Sequence, residues 1–184
     1  MLLSDVLNPL LNSAFTREIT WFEASERFSL DEFIETFYNT RKRVQGLLEG
    51  MTDAQVAFAS PAHSVWSVSE SITHLVYTQG YYINKLLAIT TSSIPHIMEA
   101  ARGFGEGAKT GIPADQLRSQ MIFATEQVTT AIEGTRNHHD ATQTEVSEFF
   151  GVCNYQTWTL LLLAHEVDHI RQIIAMRRLA RTEL

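Results

Sequence analysis

The most apolar helical segment of this sequence lies at residues 155–179 and reads YQTWTLLLLAHEVDHIRQIIAMRRL. Its apolar side chains return every three or four residues, which is the period of an α-helix with one face in a protein core. His165 and His169 fall on the same side of this helix as Trp158 and Leu162. Both histidines are therefore expected to point into the protein.

Three further segments share this helical period, at residues 31–49, 68–89 and 113–134. A serine followed three residues later by a glutamate, the capping-box pattern, marks the start of the first two, and the third begins at Pro113. No run of alternating β-branched residues predicts a sheet. Four helices joined by long connections indicate an all-α fold, a four-helix bundle with long crossover connections.

The length of 184 residues favours a single domain. We expect residues 1–27 to form a short N-terminal extension, with a short helix near residues 4–17, and residues 28–184 to form the bundle. The long connections are residues 90–112, which are rich in glycine and serine, and residues 137–154. Both connections are predicted to be irregular.

Charge and composition exclude several classes of function. The chain has 14 Lys and Arg residues against 21 Asp and Glu residues, a net charge of −7, so we expect no nucleic-acid partner, which would need a basic surface. No stretch approaches the roughly 18 apolar residues of a membrane span, and no export signal is evident, so we expect no membrane partner and a cytoplasmic protein. The single cysteine, Cys153, excludes a disulfide within the chain and is expected to be a small buried residue.

The sequence HEVDH at residues 165–169 is the pattern that indicates chemistry. Histidines four residues apart on a helix point the same way and can bind one metal ion together. The alternative is a pair of core histidines bonded to backbone carbonyls or hydroxyls. The pattern H-E-x-x-H also occurs in zinc proteases, with Glu166 as the general base, but their third ligand lies downstream and here only Glu183 follows. A third ligand must therefore lie upstream.

Five other histidines are candidates for that third ligand: His63, His74, His96, His138 and His139. His74 is favoured because it lies inside the well-capped second helix, and a helix is a rigid support for a ligand. It projects away from the main apolar stripe of that helix, on the side of Tyr77 and Tyr81. We therefore expect it to line an accessible cleft with these two rings as walls. His138 and His139 are expected to lie in a solvated loop.

Two stretches of the sequence, taken together, resemble one protein family. Residues 66–75 read WSVSESITHL, and residues 165–173 read HEVDHIRQI. The combination is similar to the DinB-like family of bacterial four-helix bundles, also called YfiT-like. The likeness extends over about residues 28–181 and implies the same four-helix fold.

The resemblance also implies a set of metal ligands. Members of this family place one ligand histidine in the second helix and an H-x-x-x-H pair in the last helix. Carried onto this sequence, those ligands are His74, His165 and His169. Many relatives have Arg-Gly before the glutamine that follows the pair, where this chain has Ile-Arg. The departure affects no ligand, and it leaves open whether Gln172 supports one.

Three histidines would leave one coordination position of the metal open, which is typical of catalytic rather than structural sites. The expected cofactor is a divalent transition metal, with zinc or nickel first and iron as a further candidate. Because the family includes thiol-dependent transferases and isomerases, the resemblance implies a metal-dependent enzyme with a small-molecule substrate, either a thiol transferase or a hydrolase. The alternative is a non-catalytic, stress-related or binding bundle that forms a homodimer and retains an inherited metal site.

Glu166 is the candidate catalytic residue beside these ligands. It projects off the histidine face of the helix, so a contact with the edge of the site competes with a structural pairing to a neighbouring helix. Glu70 lies one turn before His74 and would be able to orient it, but a capping box explains Glu70 without a ligand.

Overall fold

The computed structural model describes residues 3–60, 65–90, 108–140 and 142–184. In chain order the elements are α1 (Leu3–Phe15), α2 (Trp21–Ser25), α3 (Leu30–Leu48), α4 (Asp53–Ala57), α5 (Val68–Ala88), α6 (Ala114–Thr135), β1 (Glu145–Ser147), β2 (Gly151–Cys153) and α7 (Tyr155–Glu183). The four long helices, α3, α5, α6 and α7, confirm the predicted all-α fold, and each begins within one residue of its predicted start. Within these ranges, no helix has the length together with the apolar content needed to cross a membrane.

The four long helices pack side by side. α5 packs against both α6 and α7, and α3 packs against the same two helices. The core consists of the buried stripes of these helices, which include Phe33, Phe37, Val44, Leu48, Ile72, Leu75, Ile83, Leu86, Leu117, Met121, Val128, Leu162 and Ile173. Cys153 is also buried, as predicted. The helices that carry the candidate ligands, α5 and α7, are therefore direct neighbours.

Side-chain caps begin the helices where the sequence predicts them. Ser29 accepts a hydrogen bond from the backbone N–H of Glu32, and Ser67 accepts one from Glu70. The carboxylate of Glu70 accepts from both the N–H and the hydroxyl of Ser67, at 2.9 and 2.8 Å. These bonds confirm the capping role of Glu70. Pro113 is the residue before α6 rather than its first residue.

The N-terminal helices pack on the bundle. α1 confirms the short helix expected there, and α2 lies against α7. Trp21 and Ala24 of α2 are buried, and Ser25 Oγ lies 3.1 Å from Thr157 Oγ1 in the interior. Because α2 covers this part of α7, residues 160–164 are all buried. The position of the domain boundary stays a prediction.

Short elements that the sequence did not predict lie in two connections between the long helices. In residues 137–154, β1 and β2 form an antiparallel hairpin in which Val146 pairs with Val152. The helix α4 lies between α3 and α5. Elements of three to five residues are too short for a hydrophobic period to reveal. Most of the connection predicted at 90–112 lies outside the described residues, which omit 91–107.

Candidate metal centre

His74 of α5 and the pair His165 and His169 of α7 lie together, and we call these three residues the histidine cluster. One ring nitrogen from each lies within 4.8 Å of the other two. The Nε2 atoms of His74 and His165 are 3.1 Å apart, and the three ring centroids are separated by 4.6, 4.8 and 5.1 Å. The structure thus brings together the three histidines that the sequence indicates as ligands.

Helix geometry and helix packing produce this arrangement. His165 and His169 are one turn apart on α7, so their side chains point the same way. His74 projects away from the main apolar stripe of α5, as expected, but α5 packs against α4, α6 and α7 and is therefore buried on more than one side. The side of α5 that carries His74 meets α7. His74 is consequently half-buried rather than exposed on the surface.

Hydrogen bonds hold the Nδ1 atoms of the two histidines on α7. Nδ1 of His169 lies 3.1 Å from the amide oxygen of Gln172, which can only accept, so this Nδ1 carries the proton. Thr78 donates its hydroxyl proton to the carbonyl of His74 at 2.9 Å, and its oxygen lies 3.5 Å from Nδ1 of His165. In both rings Nε2 is then the unprotonated nitrogen, as a metal ligand requires. Gln172 therefore supports one of the candidate ligands.

The three imidazole rings are neutral at pH 7. Burial, together with the smaller effects of the neighbouring His169, His74 and Arg41, lowers the pKa of His165 to about 3. Burial also lowers the pKa values of His74 and His169, and for His169 the effect is opposed by Asp168 and Gln172. Since only a neutral imidazole binds a metal, the cluster is prepared for coordination at physiological pH.

The spacing of two of the three nitrogens, those of His74 and His165, fits one metal ion. Two imidazole nitrogens bound to a tetrahedral ion at about 2.05 Å are about 3.3 Å apart, close to the 3.1 Å between the Nε2 atoms of His74 and His165. Three imidazoles suit zinc, nickel or iron better than calcium or magnesium, which prefer oxygen ligands. Three protein ligands would leave a fourth position for water or substrate.

Two aromatic rings contact the histidine cluster. Trp66 stacks on His169 with ring planes 4° apart and centroids 5.8 Å apart. The same indole meets the ring of His74 edge to face at 4.7 Å. Tyr82 lies 5.8 Å from His165, measured between ring centroids. Trp66 and Tyr82 therefore form the aromatic surroundings of the site.

The cleft walls that we expected at Tyr77 and Tyr81 stay a prediction. Tyr77 and Tyr81 are 48% and 46% exposed, and the ring of Tyr81 contacts Tyr82 and Trp158. The neighbouring residue, Tyr82, is the tyrosine whose ring lies beside His165.

Glu166 points away from the histidine cluster, into the core of the bundle. It forms an ion pair with Arg41 of α3; the two side chains are 0% and 1% exposed. Gln79 of α5 donates to the same carboxylate at 3.2 Å. Burial raises the pKa of Glu166, and the Arg41 guanidinium opposes this rise. The structure thus shows the pairing with a neighbouring helix, and a catalytic role for Glu166 stays a prediction.

Three neighbours of the site were not predicted from the sequence: Arg41, Trp66 and Thr78. A signal for Arg41 existed, because it follows Phe37 by four residues in the stripe that α3 buries, where an arginine is unusual. Thr78 is one turn after His74, on the side of α5 that meets α7. The only signal for Trp66 was its residue type.

Two of the other histidines, His138 and His139, lie apart from the cluster. His139 stacks on Tyr155 with ring centroids 4.5 Å apart, so it takes part in packing rather than lying in a fully solvated loop. His138 is exposed. His63 and His96 fall outside the described residues.

The fold and the site define a class of protein, a four-helix bundle with a partly exposed cluster of three histidines, able to hold a metal ion, between two of its helices. Residues 36–173 match the DinB superfamily; this is 138 of the 184 residues and includes all three histidines. The chain therefore belongs to the DinB superfamily. No curated protein matches the sequence.

Proposed function

We propose that this chain is a metal-dependent enzyme in which His74, His165 and His169 bind one divalent transition metal. The observation that supports the proposal most is the direction of the ring nitrogens. Thr78 and Gln172 engage the Nδ1 atoms on α7, while Nε2 of His165 faces Nε2 of His74 at 3.1 Å. Histidines that served only to fill the core would turn these nitrogens to backbone carbonyls or hydroxyls. Zinc and nickel are the first candidates and iron is the third.

The proposed reaction is transfer or hydrolysis on a small molecule, and thiol transfer is the finer proposal. When bound, the metal would act as a Lewis acid and lower the pKa of a thiol or water bound to it. Trp66 covers one side of His74 and His169 and keeps solvent from that side. Thr78 and Gln172 fix the orientation of the ligand rings, which preserves the open position for the substrate.

Elemental analysis of the full chain, purified without a histidine tag, tests the metal site. We expect about one equivalent of transition metal per chain, lost in His165→Ala because two imidazoles do not retain the ion during purification. His138→Ala is the matched control, since it removes an exposed histidine away from the cluster. Wild-type protein that contains no metal, and takes up none when it is supplied, would contradict the proposal.

Activity assays on the metal-loaded protein test the reaction class. One panel offers low-molecular-weight thiols with electrophilic acceptors, and a second offers esters. We expect turnover in one panel, lost in His165→Ala and kept in His138→Ala. Metal-loaded wild type that is inactive in both panels would favour the non-catalytic alternative.

The non-catalytic alternative includes self-association into a homodimer, and an exposed apolar surface on the hairpin of β1 and β2 favours it. Val146, Phe149 and Val152 of the hairpin are 81%, 79% and 49% exposed, and such an apolar group is typical of an interaction surface. We propose a homodimer in the cytoplasm, without a nucleic-acid or membrane partner. Sedimentation should give twice the chain mass for the wild type and the chain mass for Phe149→Asp; a monomeric wild type would contradict the dimer.

A further inference from the structure

A second group of polar side chains lies behind the histidine cluster, in the interior of the bundle. Its members are Arg41 of α3, Gln79 of α5 and Glu166 of α7, and we call them the core cluster. They are 1%, 0% and 0% exposed. Arg41 and Gln79 both donate to the same carboxylate oxygen of Glu166. Three helices of the bundle thus meet at one buried carboxylate.

Stability alone does not explain the core cluster. Taking two charges out of water costs free energy that a buried ion pair often fails to recover, and apolar replacements of such pairs are commonly neutral or stabilising. Arg41 Nε, Gln79 Oε1 and Glu166 Oε2 are buried and have no hydrogen-bond partner among the described residues. An arrangement that maximised stability would pair these atoms.

The core cluster and the histidine cluster both connect α5 to α7, and both contacts require the same alignment of the two helices. Glu166 directly follows His165 on α7, and Gln79 is five residues after His74 on α5. The two helices are therefore joined at two levels, by the approach of His74 to His165 and by the hydrogen bond from Gln79 to Glu166. A rotation of α7 by the 100° of one residue would break both contacts at once.

Arg41 adds a third point of attachment. It belongs to α3, so its ion pair with Glu166 holds α7 from a side next to the one that carries the histidine cluster. Its guanidinium also lies 5.0 Å from the ring of Phe37 and donates to the sulfur of Met121 on α6. These contacts fix the arginine, and through it the rotation of α7.

We propose that Arg41, Gln79 and Glu166 position the metal ligands, by fixing the rotation and axial offset of α7 against α5. All three are positioning residues, because none of them contacts the metal or the substrate. The inference rests on the proposed function, since it needs a metal bound by the histidine cluster. Buried polar groups that set helix register at the expense of stability have a precedent in coiled coils.

The test replaces the ion pair with apolar side chains in the double variant Arg41→Met, Glu166→Met. The metal-free full chain is titrated with Co²⁺, whose visible absorption reports the geometry of its ligands and whose titration gives the affinity. We expect at least a tenfold weaker affinity, in line with the loss of outer-shell support at metal sites, and a changed spectrum. The urea midpoint of the metal-free variant should equal or exceed that of the wild type.

The matched control removes another arginine–carboxylate pair between helices. Arg136, the residue after α6, pairs with Asp31 of α3 at 2.6 Å on the exposed surface. The double variant Asp31→Leu, Arg136→Met should bind Co²⁺ with the affinity and spectrum of the wild type. Glu166→Gln keeps the shape of the side chain and an acceptor for Arg41, so its affinity should lie nearer the wild type than that of the apolar pair.

Four results would overturn the inference. Wild-type affinity and spectrum in the apolar-pair variant would remove the positioning role. If the urea midpoint of the apolar-pair variant fell together with its Co²⁺ affinity, the ion pair would have a structural role only. If Glu166→Gln lost as much Co²⁺ affinity as the apolar pair, the charge of Glu166, not the geometry, would be responsible. Wild-type protein that binds no Co²⁺ would overturn the metal site itself, and this result is recognised before any variant is made.

Discussion

The histidine cluster and the core cluster occupy neighbouring sides of α7, and their surroundings differ. The histidine cluster consists of neutral rings, two of them half-buried, at the edge of the bundle. The core cluster carries two opposite charges and is shut off from solvent. His165 and Glu166 are consecutive residues, yet the 100° between them directs His165 toward His74 and Glu166 into the interior, where it meets Arg41 and Gln79.

Burial and charge therefore determine which of the two clusters is available to bind an ion and which one the folded state depends on. Neutral rings near the surface lose little solvation free energy, so they are available for an exchangeable ion. A charged pair in the interior is stable only while both partners are present, since an unpaired buried charge is costly. Removing one charged partner of the core cluster should therefore affect folding first, and changes in the histidine cluster should affect metal binding first.

The largest effect is expected for Arg41→Ala. This change leaves the Glu166 carboxylate buried with only the amide of Gln79 as a donor, so the free energy of unfolding should fall by about 3–5 kcal/mol. Urea denaturation in the presence of a chelator measures it. Arg136→Ala, which breaks the exposed pair with Asp31, should cost less than about 1 kcal/mol. If Arg41→Ala lowered the free energy of unfolding no more than this control does, the buried pair would matter no more for folding than an exposed one, and the contrast between the two clusters would be wrong.

The second effect is the stabilisation of the folded chain by a metal ion bound to the histidine cluster. At a free metal concentration of 100 times Kd, the wild type should gain about 2.7 kcal/mol in free energy of unfolding, because the ion binds only the folded chain. His74→Ala should gain nothing, since two ligands remain. In the presence of a chelator, His74→Ala should unfold within about 1 kcal/mol of the wild type, as expected for a half-buried side chain. A metal-dependent gain that survives in His74→Ala would show that the ion binds elsewhere.

The third effect is a loss of affinity in Gln172→Leu. The hydrogen bond from Nδ1 of His169 to Gln172 fixes the ring and its tautomer, and its loss should weaken metal binding about tenfold. Competition with a chromophoric chelator measures the change. The neighbouring Arg171, which contacts Asn8 of α1 on the surface, supplies the control Arg171→Ala, with unchanged affinity. Equal affinities in the two variants would mean that Gln172 does not support the ligand.

The sequence was sufficient for the bundle and for the histidine cluster. Four periodic segments, two of them with capping boxes, predict four helices, because periodicity and caps are local properties of the chain. The spacing of His165 and His169 is local as well. His74 was favoured because it lies inside a capped helix, and the resemblance to the family supported that choice. Its direction on α5, away from the apolar stripe, is explained only by the packing against α7.

The core cluster was not predictable in the same way. Arg41 and Glu166 are 125 residues apart in the chain, and the hydrophobic period gives no information about which buried charges meet. Arg41 interrupts an otherwise apolar stripe and so indicates that a partner exists, but Glu166 becomes that partner only through the packing of α3 on α7. The ring contacts of Trp66 likewise depend on how the chain before α5 folds over the site.

The smallest effect is the pH dependence of the metal-free protein. Burial lowers the pKa of His165 to about 3 in the folded chain, against about 6.5 when unfolded. The unfolded chain therefore binds the proton first, and the stability from this residue is lost as the pH falls from about 6.5 toward 3. Between pH 7 and pH 6 the loss should be about 0.7 kcal/mol.

The Glu166 carboxyl acts in the opposite sense, and the experiment has to separate the two groups. Burial raises the pKa of Glu166, so its contribution to stability is lost as the pH rises. Subtracting the urea stability of His165→Asn from that of the wild type at each pH removes the contribution of Glu166, which both proteins retain. The difference should fall by about 0.7 kcal/mol from pH 7 to pH 6. A constant difference would mean that His165 accepts a proton equally well in the folded and unfolded chains, and the histidine cluster would then lack the neutral rings that distinguish it from the core cluster.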